Sequence, residues 1–178
     1  MNFKPAPADH GFKFKRVDLA NKPVIDADVD LVVDTSRGTL LEKNGARIGT
    51  IEHTLAALIG MDLDNVLIEV DNEEAPIMDG SSRFFAEAIE KAGIVEQNAE
   101  REYFEIQEKI EIYDEKSGSQ IIALPDDDYR LTVMIAFKSR VLNNQYATLD
   151  SICNFKDEIA NCRTFVFLHE LEYLLNNN

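Results

Sequence analysis

Three short stretches carry residue types that could do chemistry. In "RIGTIEHTLAALIG" (Arg47 to Gly60) a carboxylate and an imidazole, Glu52 and His53, stand side by side where a helix should begin. The first N–H groups of a helix are unpaired and lie at its positive dipole end. That environment favours a carboxylate and keeps an imidazole neutral, the form a metal takes as ligand. Helical metal pairs sit at i and i+4, however, and position 57 is Ala57, so spacing alone does not make a metal site. A capping or surface role for the pair stays open. The other two histidines, His10 and His169, lie far away in sequence. "IMDGSS" (Ile77 to Ser82) admits three readings: a turn that caps the next helix, a phosphate cradle, or a catalytic aspartate at Asp79. "CRTF" offers a guanidinium, a hydroxyl and a ring in Arg163, Thr164 and Phe165, types that a strand edge would also carry.

The elements that must position these groups follow from periodicity. "GFKFKRVDL" and "DLVVDT" read as strands, the first with Lys13, Lys15 and Arg16 alternating against Phe12, Phe14 and Val17. Such alternation marks a half-buried strand with a solvated face; a phosphate-binding role for the basic residues is the competing reading. "TLLEKNGARIGT" reads as a hairpin turning at Asn44-Gly45. A helix is expected from about Ile51 to Ile59, with Thr50 as N-cap and Gly60 as stop. "NVLIEV" (Asn65 to Val70) is a buried strand. "RFFAEAIEKAG" is an amphipathic helix with Phe84, Ala88 and Ile89 on its apolar side.

The polar stretch "EQNAERE" divides the chain, giving domains 1–98 and 99–178. The C-terminal half starts over with strands in "YFEIQEKIEIYD", "QIIAL" and "YRLTVMIAF", a helix near "FKDEIAN", a strand at "CRTFVF" and a final helix in "LHELEYLL". Strands followed by helices, twice, define an α+β class with two similar layers, the C-terminal one incomplete.

Composition removes several functions. A net charge of −15 repels nucleic acid and anionic lipid. The longest apolar runs fall far short of the roughly 18 residues that span a bilayer. No basic stretch followed by an apolar one opens these residues, so no secretory leader is expected. Cys153 and Cys162 have no metal-type spacing, so a reduced cytoplasmic protein is expected.

Specificity lies in the combination. "GTIEHTLAALIGMDLDNVLIEVDNEEAPIMDGSSRFFAEAI" resembles the first domain of the UDP-3-O-acyl-N-acetylglucosamine deacetylases, zinc hydrolases of lipid A synthesis. "REYFEI" resembles the start of that family's second domain, and "DEIANCRTFVFLHELEYL" its Arg-Thr-Phe segment and following helix. The wording "IANCRTFVF" is most similar to versions fused to a 3-hydroxyacyl carrier-protein dehydratase. The resemblance implies two α+β domains packed helix layer to helix layer. It implies His53 as a zinc ligand, Glu52 as general base, Thr164 as hydrogen-bond donor to the developing oxyanion and Phe165 in the substrate site. The substrate implied is a UDP-acyl-amino-sugar, UDP-3-O-(3-hydroxyacyl)-N-acetylglucosamine.

The same resemblance sets limits. The family's other two zinc ligands, in a His-Lys-x-x-Asp pattern, and a catalytic histidine follow the Arg-Thr-Phe segment, and the 178 residues contain none of them. His169 matches no ligand and is read as a surface residue. The chain therefore resembles a deacetylase cut short, inactive alone, holding zinc weakly and self-associating through its incomplete C-terminal half. The alternative is a non-catalytic α+β module that keeps the scaffold for binding or assembly.

Overall fold

Residues 1–137 and 141–177 are described by the computed structural model. They fall into two compact units, Met1–Asn98 together with Phe155–Asn178, and Ala99–Asn154. The segment from Phe155 onward, read from sequence with the C-terminal half, thus groups with the N-terminal one.

The first unit is α+β. Its strands are β1 (Asn2–Pro5), β2 (Phe12–Arg16), β3 (Val24–Asp26), β4 (Val32–Asp34), β5 (Leu40–Lys43) and β6 (Ala46–Ile48). Helix α1 (Glu52–Gly60), strand β7 (Val66–Val70) and helix α2 (Arg83–Ala92) follow. Four strands form a sheet in the order β1-β7-β2-β3, and β4-β5-β6 form another, antiparallel one. Strand β2 runs parallel to β7, with Phe14 opposite Ile68. A parallel pair needs a long crossover, which here contains the hairpin and α1. Asn44 and Gly45 turn that hairpin at φ 52° and 79°, the paired left-handed conformation that an Asn-Gly turn favours.

The core follows the alternation. Val66, Ile68 and Val70 point inward from β7, and Phe14, Ile25 and Ile68 are 0% exposed. Each such side chain contributes about 1.5–3 kcal/mol when fully buried.

Two expected faces are rotated. Arg16 lies two residues beyond Phe14 on β2, so strand parity puts it inside with Phe14, and it is only 6% exposed. Its guanidinium donates to both carboxylate oxygens of Asp18, at 3.0 and 2.8 Å, and to the Arg47 carbonyl. These bonds permit the burial of the charge. Lys13 and Lys15 do face outward, to Asp26 at 2.8 Å and Glu69 at 3.9 Å. On α2 the buried residues are Phe85, Ala86 and Ile89. Phe84, 36% exposed, is covered by the Arg83 guanidinium 4.4 Å from its ring centre. Phe84/Ala88 and Phe85/Ile89 are both i, i+4 pairs, so the sequence pattern fits either stripe. Phe3 of β1, whose ring lies 6.3 Å from that of Phe85, settles which one faces in.

The other unit consists of two hairpins, β8 (Ile110–Asp114) with β9 (Ser119–Ala123), and β10 (Leu131–Ile135) with β11 (Gln145–Leu149). Every residue of β8 and β10 is exposed. Regular pairing begins at Ile110, so the first part of "YFEIQEKIEIYD" is not strand. After Asn154 come α3 (Phe155–Glu158) and α4 (Leu168–Asn177). The strand expected at Cys162–Phe167 is absent: these residues carry no regular element, because no neighbouring strand pairs with them among the described residues.

Candidate active site

The Glu-His pair opens α1, as its spacing implied, but the cap is not Thr50. The residue before the helix is Ile51, which offers no side-chain acceptor, and Thr50 stands at φ 57°. A β-branched residue in the left-handed region is strained by about 1–3 kcal/mol and marks a turn held by its surroundings. The chain swings sharply there, bringing Glu52 against the loop that precedes β5. The Glu52 carboxylate accepts the Thr39 backbone N–H at 3.1 Å. Gly38 lies close on the other side: a Cβ there would come within 3.1 Å of Glu52 Oε1. Glu52 and His53 are both half-exposed, so a carboxylate and an imidazole are accessible at the start of α1. The backbone N–H of Thr39 carries no side-chain signature, and sequence reading had no means of finding it.

Thr54, next along α1, is fully buried, and its hydroxyl has no hydrogen-bond partner among the described residues.

The "IMDGSS" turn resolves toward its structural reading. Asp79 accepts the Ser81 backbone N–H at 3.1 Å and the Ser81 hydroxyl at 2.6 Å, and its other oxygen faces Arg83 at 3.3 Å. The Ser81 hydroxyl in turn accepts the Arg83 backbone N–H at 3.2 Å. The Ser81 hydrogen bonds, aided by Arg83, hold the Asp79 carboxyl below its ordinary range. Asp79 thus organises the start of α2. Gly80, at φ 81°, completes the turn and leaves its carbonyl free for another segment.

That segment is the Arg-Thr-Phe stretch. The Thr164 backbone N–H donates to the Gly80 carbonyl at 2.8 Å. A Cβ on Gly80 would lie 3.2 Å from the Thr164 methyl. Phe165 is 57% exposed and meets Phe167 edge-on, with ring centres 5.6 Å apart. Glu52 is therefore held by the loop before β5, and the Thr164 backbone by the turn before α2. The side chain of His169 lies outside the described residues.

A metal centre needs three or more ligands converging. Among the described residues no group of three or more His, Cys, Asp or Glu side chains is placed to hold an ion. His53 supplies one suitable nitrogen, and the donors present do not make up a zinc site. No helix among the described residues is long and apolar enough to cross a membrane.

Comparison with known proteins gives the family of the chain. The chain is 47% identical over 176 residues to a protein of Bacteroides thetaiotaomicron named bifunctional enzyme LpxC/FabZ, covering 99% of this chain and 38% of that protein. A protein of the same name from Porphyromonas gingivalis is 47% identical over 178 residues, 100% of this chain and 38% of its own length. The UDP-3-O-acyl-N-acetylglucosamine deacetylase of Myxococcus xanthus is 41% identical over 175 residues, 98% of this chain and 55% of that protein. The chain thus spans between 38% and 55% of the length of these relatives. From residue 1 to residue 178 it matches the family described as LpxC, UDP-3-O-acyl N-acetylglycosamine deacetylase, and it belongs to that family.

Proposed function

We propose that this chain forms part of a deacetylase that hydrolyses the N-acetyl group of UDP-3-O-(3-hydroxyacyl)-N-acetylglucosamine, in lipid A biosynthesis in the cytoplasm. The observation that carries the reading is the match to the deacetylase family over the whole chain, with Glu52 and His53 together at the accessible start of α1.

In this reading Glu52 is the general base. Its carboxylate, kept in place by the Thr39 N–H, takes a proton as water attacks the acetyl carbonyl carbon. The C–N bond then breaks, giving acetate and the free amine. Thr164 donates a hydrogen bond to the oxygen on which negative charge develops, an interaction commonly worth about 3 kcal/mol. Phe165 supplies an exposed ring for the substrate to lie against. The family implies a metal cofactor; we assign zinc, with His53 as one ligand. The partner is the UDP-acyl-amino-sugar, and fusion to a dehydratase fits the LpxC/FabZ name of two relatives. Self-association through the unit Ala99–Asn154 rests on its apolar residues, such as Ile112, Ile121 and Met134, being exposed. Light scattering tests it: a monomer at micromolar concentration would end that part of the reading.

The decisive experiment is acetate release from the UDP-sugar by the full-length protein, metal-loaded, with Glu52→Gln as control. Turnover that disappears in the variant supports the assignment. A folded, metal-loaded protein with no turnover favours the non-catalytic module.

A further inference from the structure

We propose that Gly60 is a positioning residue for Thr164, acting through the ring of Phe155; the link to catalysis rests on the role assigned to Thr164 above. Helix α1 begins with the Glu-His pair and ends with Gly60, about 12 Å further along at 1.5 Å per residue. Phe155, the first residue of α3, is seated on that end. A Cβ on Gly60 would lie 2.1 Å from Phe155 Cδ1 and 2.2 Å from Cγ, inside any van der Waals limit. The ring is only 4% exposed. Gly60 is thus required for space, since only a residue without a side chain lets the ring close over the helix end.

A stiff chain of contacts connects this seat to Thr164. The Phe155 carbonyl accepts the N–H groups of Ile159 and Ala160 at 2.9 and 2.8 Å, and the Ile159 carbonyl accepts that of Cys162 at 2.8 Å. Lys156 pairs with Glu90 of α2. Ala160, 1% exposed, is buried beside them. Two residues past Cys162, the Thr164 N–H reaches Gly80. Residues 155–164 are therefore pinned at Gly60, at Glu90 and at Gly80. The surface Lys156–Glu90 pair is the weakest of the three. Lifting the ring releases the most buried anchor and leaves the segment held by the surface Lys156–Glu90 pair and the Thr164–Gly80 backbone bond.

The test uses amide exchange and steady-state kinetics on the full-length protein with Gly60→Ala, Phe155→Ala and the double variant. Gly60→Ala is expected to speed exchange at the Thr164 amide about tenfold or more while the Ile68 amide in the sheet keeps its protection. The double variant should exchange at Thr164 no faster than Phe155→Ala alone, because the added methyl no longer meets a ring. In turnover, kcat should fall about tenfold with KM within about twofold, the pattern of a lost transition-state interaction. Unchanged Thr164 exchange in Gly60→Ala, or additive effects in the double variant, would overturn the coupling. Faster Thr164 exchange with kcat unchanged would uphold the anchor and overturn the catalytic role of Thr164.

Discussion

The Thr39 backbone N–H donates to the Glu52 carboxylate at 3.1 Å, linking residues 13 positions apart across the β5-β6 hairpin. The bond fixes the carboxylate at the start of α1, and it also decides which substitution reads its chemistry cleanly. Alanine would remove the proposed base and the acceptor of the Thr39 N–H together. Glutamine keeps an oxygen for Thr39 and removes only the basicity.

Glu52→Gln should therefore lower turnover of the full-length protein by about two orders of magnitude or more. His53→Ala should lower metal content together with activity, whereas Glu52→Gln keeps the metal. A purely structural role predicts instead a loss on the order of 1 kcal/mol with turnover per folded molecule intact. Metal stoichiometry, melting temperature and acetate release, measured on both variants, separate the two. Near-normal activity in Glu52→Gln would remove the base assignment.

Arg16 should prove costly to replace. Its removal leaves Asp18 without the partner that holds its carboxyl low, and the Arg47 carbonyl without a donor. Arg16→Met should lose about 2–3 kcal/mol. Arg16→Lys should fail nearly as badly, because an ammonium cannot make the two-point contact with Asp18. Urea denaturation checks both, and a lysine variant as stable as the parent would contradict the argument.

Acid sensitivity should trace in part to Asp26. Hydrogen bonds from Lys13 and then Lys43 lower its carboxyl from 3.8 to about 2. A folded-state value below the unfolded one adds stability above the unfolded value, and that stability is lost as pH falls toward the folded one. The loss attributable to Asp26 should therefore run from about pH 4 down to about pH 2. Asp26→Asn should be less stable near neutrality and should show a flatter acid limb over that window. Denaturation midpoints measured across the range decide it; parallel acid limbs would rule it out.

Thr54→Val should not destabilise the fold. The hydroxyl is buried without a partner among the described residues, so a methyl of the same shape removes an uncompensated desolvation penalty and should raise stability by up to about 1 kcal/mol. A fall in melting temperature would show that the hydroxyl has a bonding role.

The α+β class, the hairpin at Asn44-Gly45 and the Glu-His helix start were legible because each depends on local chemistry, turn residues and period, although the cap expected at Thr50 was not. What stayed hidden depends on distant partners. Arg16 has the sequence pattern of a solvated residue because its partners Asp18 and Arg47 lie off the strand. The buried stripe of α2 was ambiguous until Phe3 of β1 came against it. Gly60 resembled an ordinary helix stop, since nothing within the helix announces an aromatic ring arriving from residue 155. The Cys162–Phe167 stretch has strand composition, but composition supplies no partner for its backbone.

The first unit is assembled from two pieces of chain, Met1–Asn98 and Phe155–Asn178, with Ala99–Asn154 between them. On the ribosome, the sheet around Phe14 and Ile68 can form while the end of α1 at Gly60 is still bare. At roughly 5–20 residues per second, the intervening stretch delays the arrival of Phe155 by several seconds. During that interval Gly60 lacks the ring that covers it in the finished fold. The first unit therefore gains its Phe155 anchor only after residues 99–154 have been made, and its last packing step waits on a segment that belongs to the other unit.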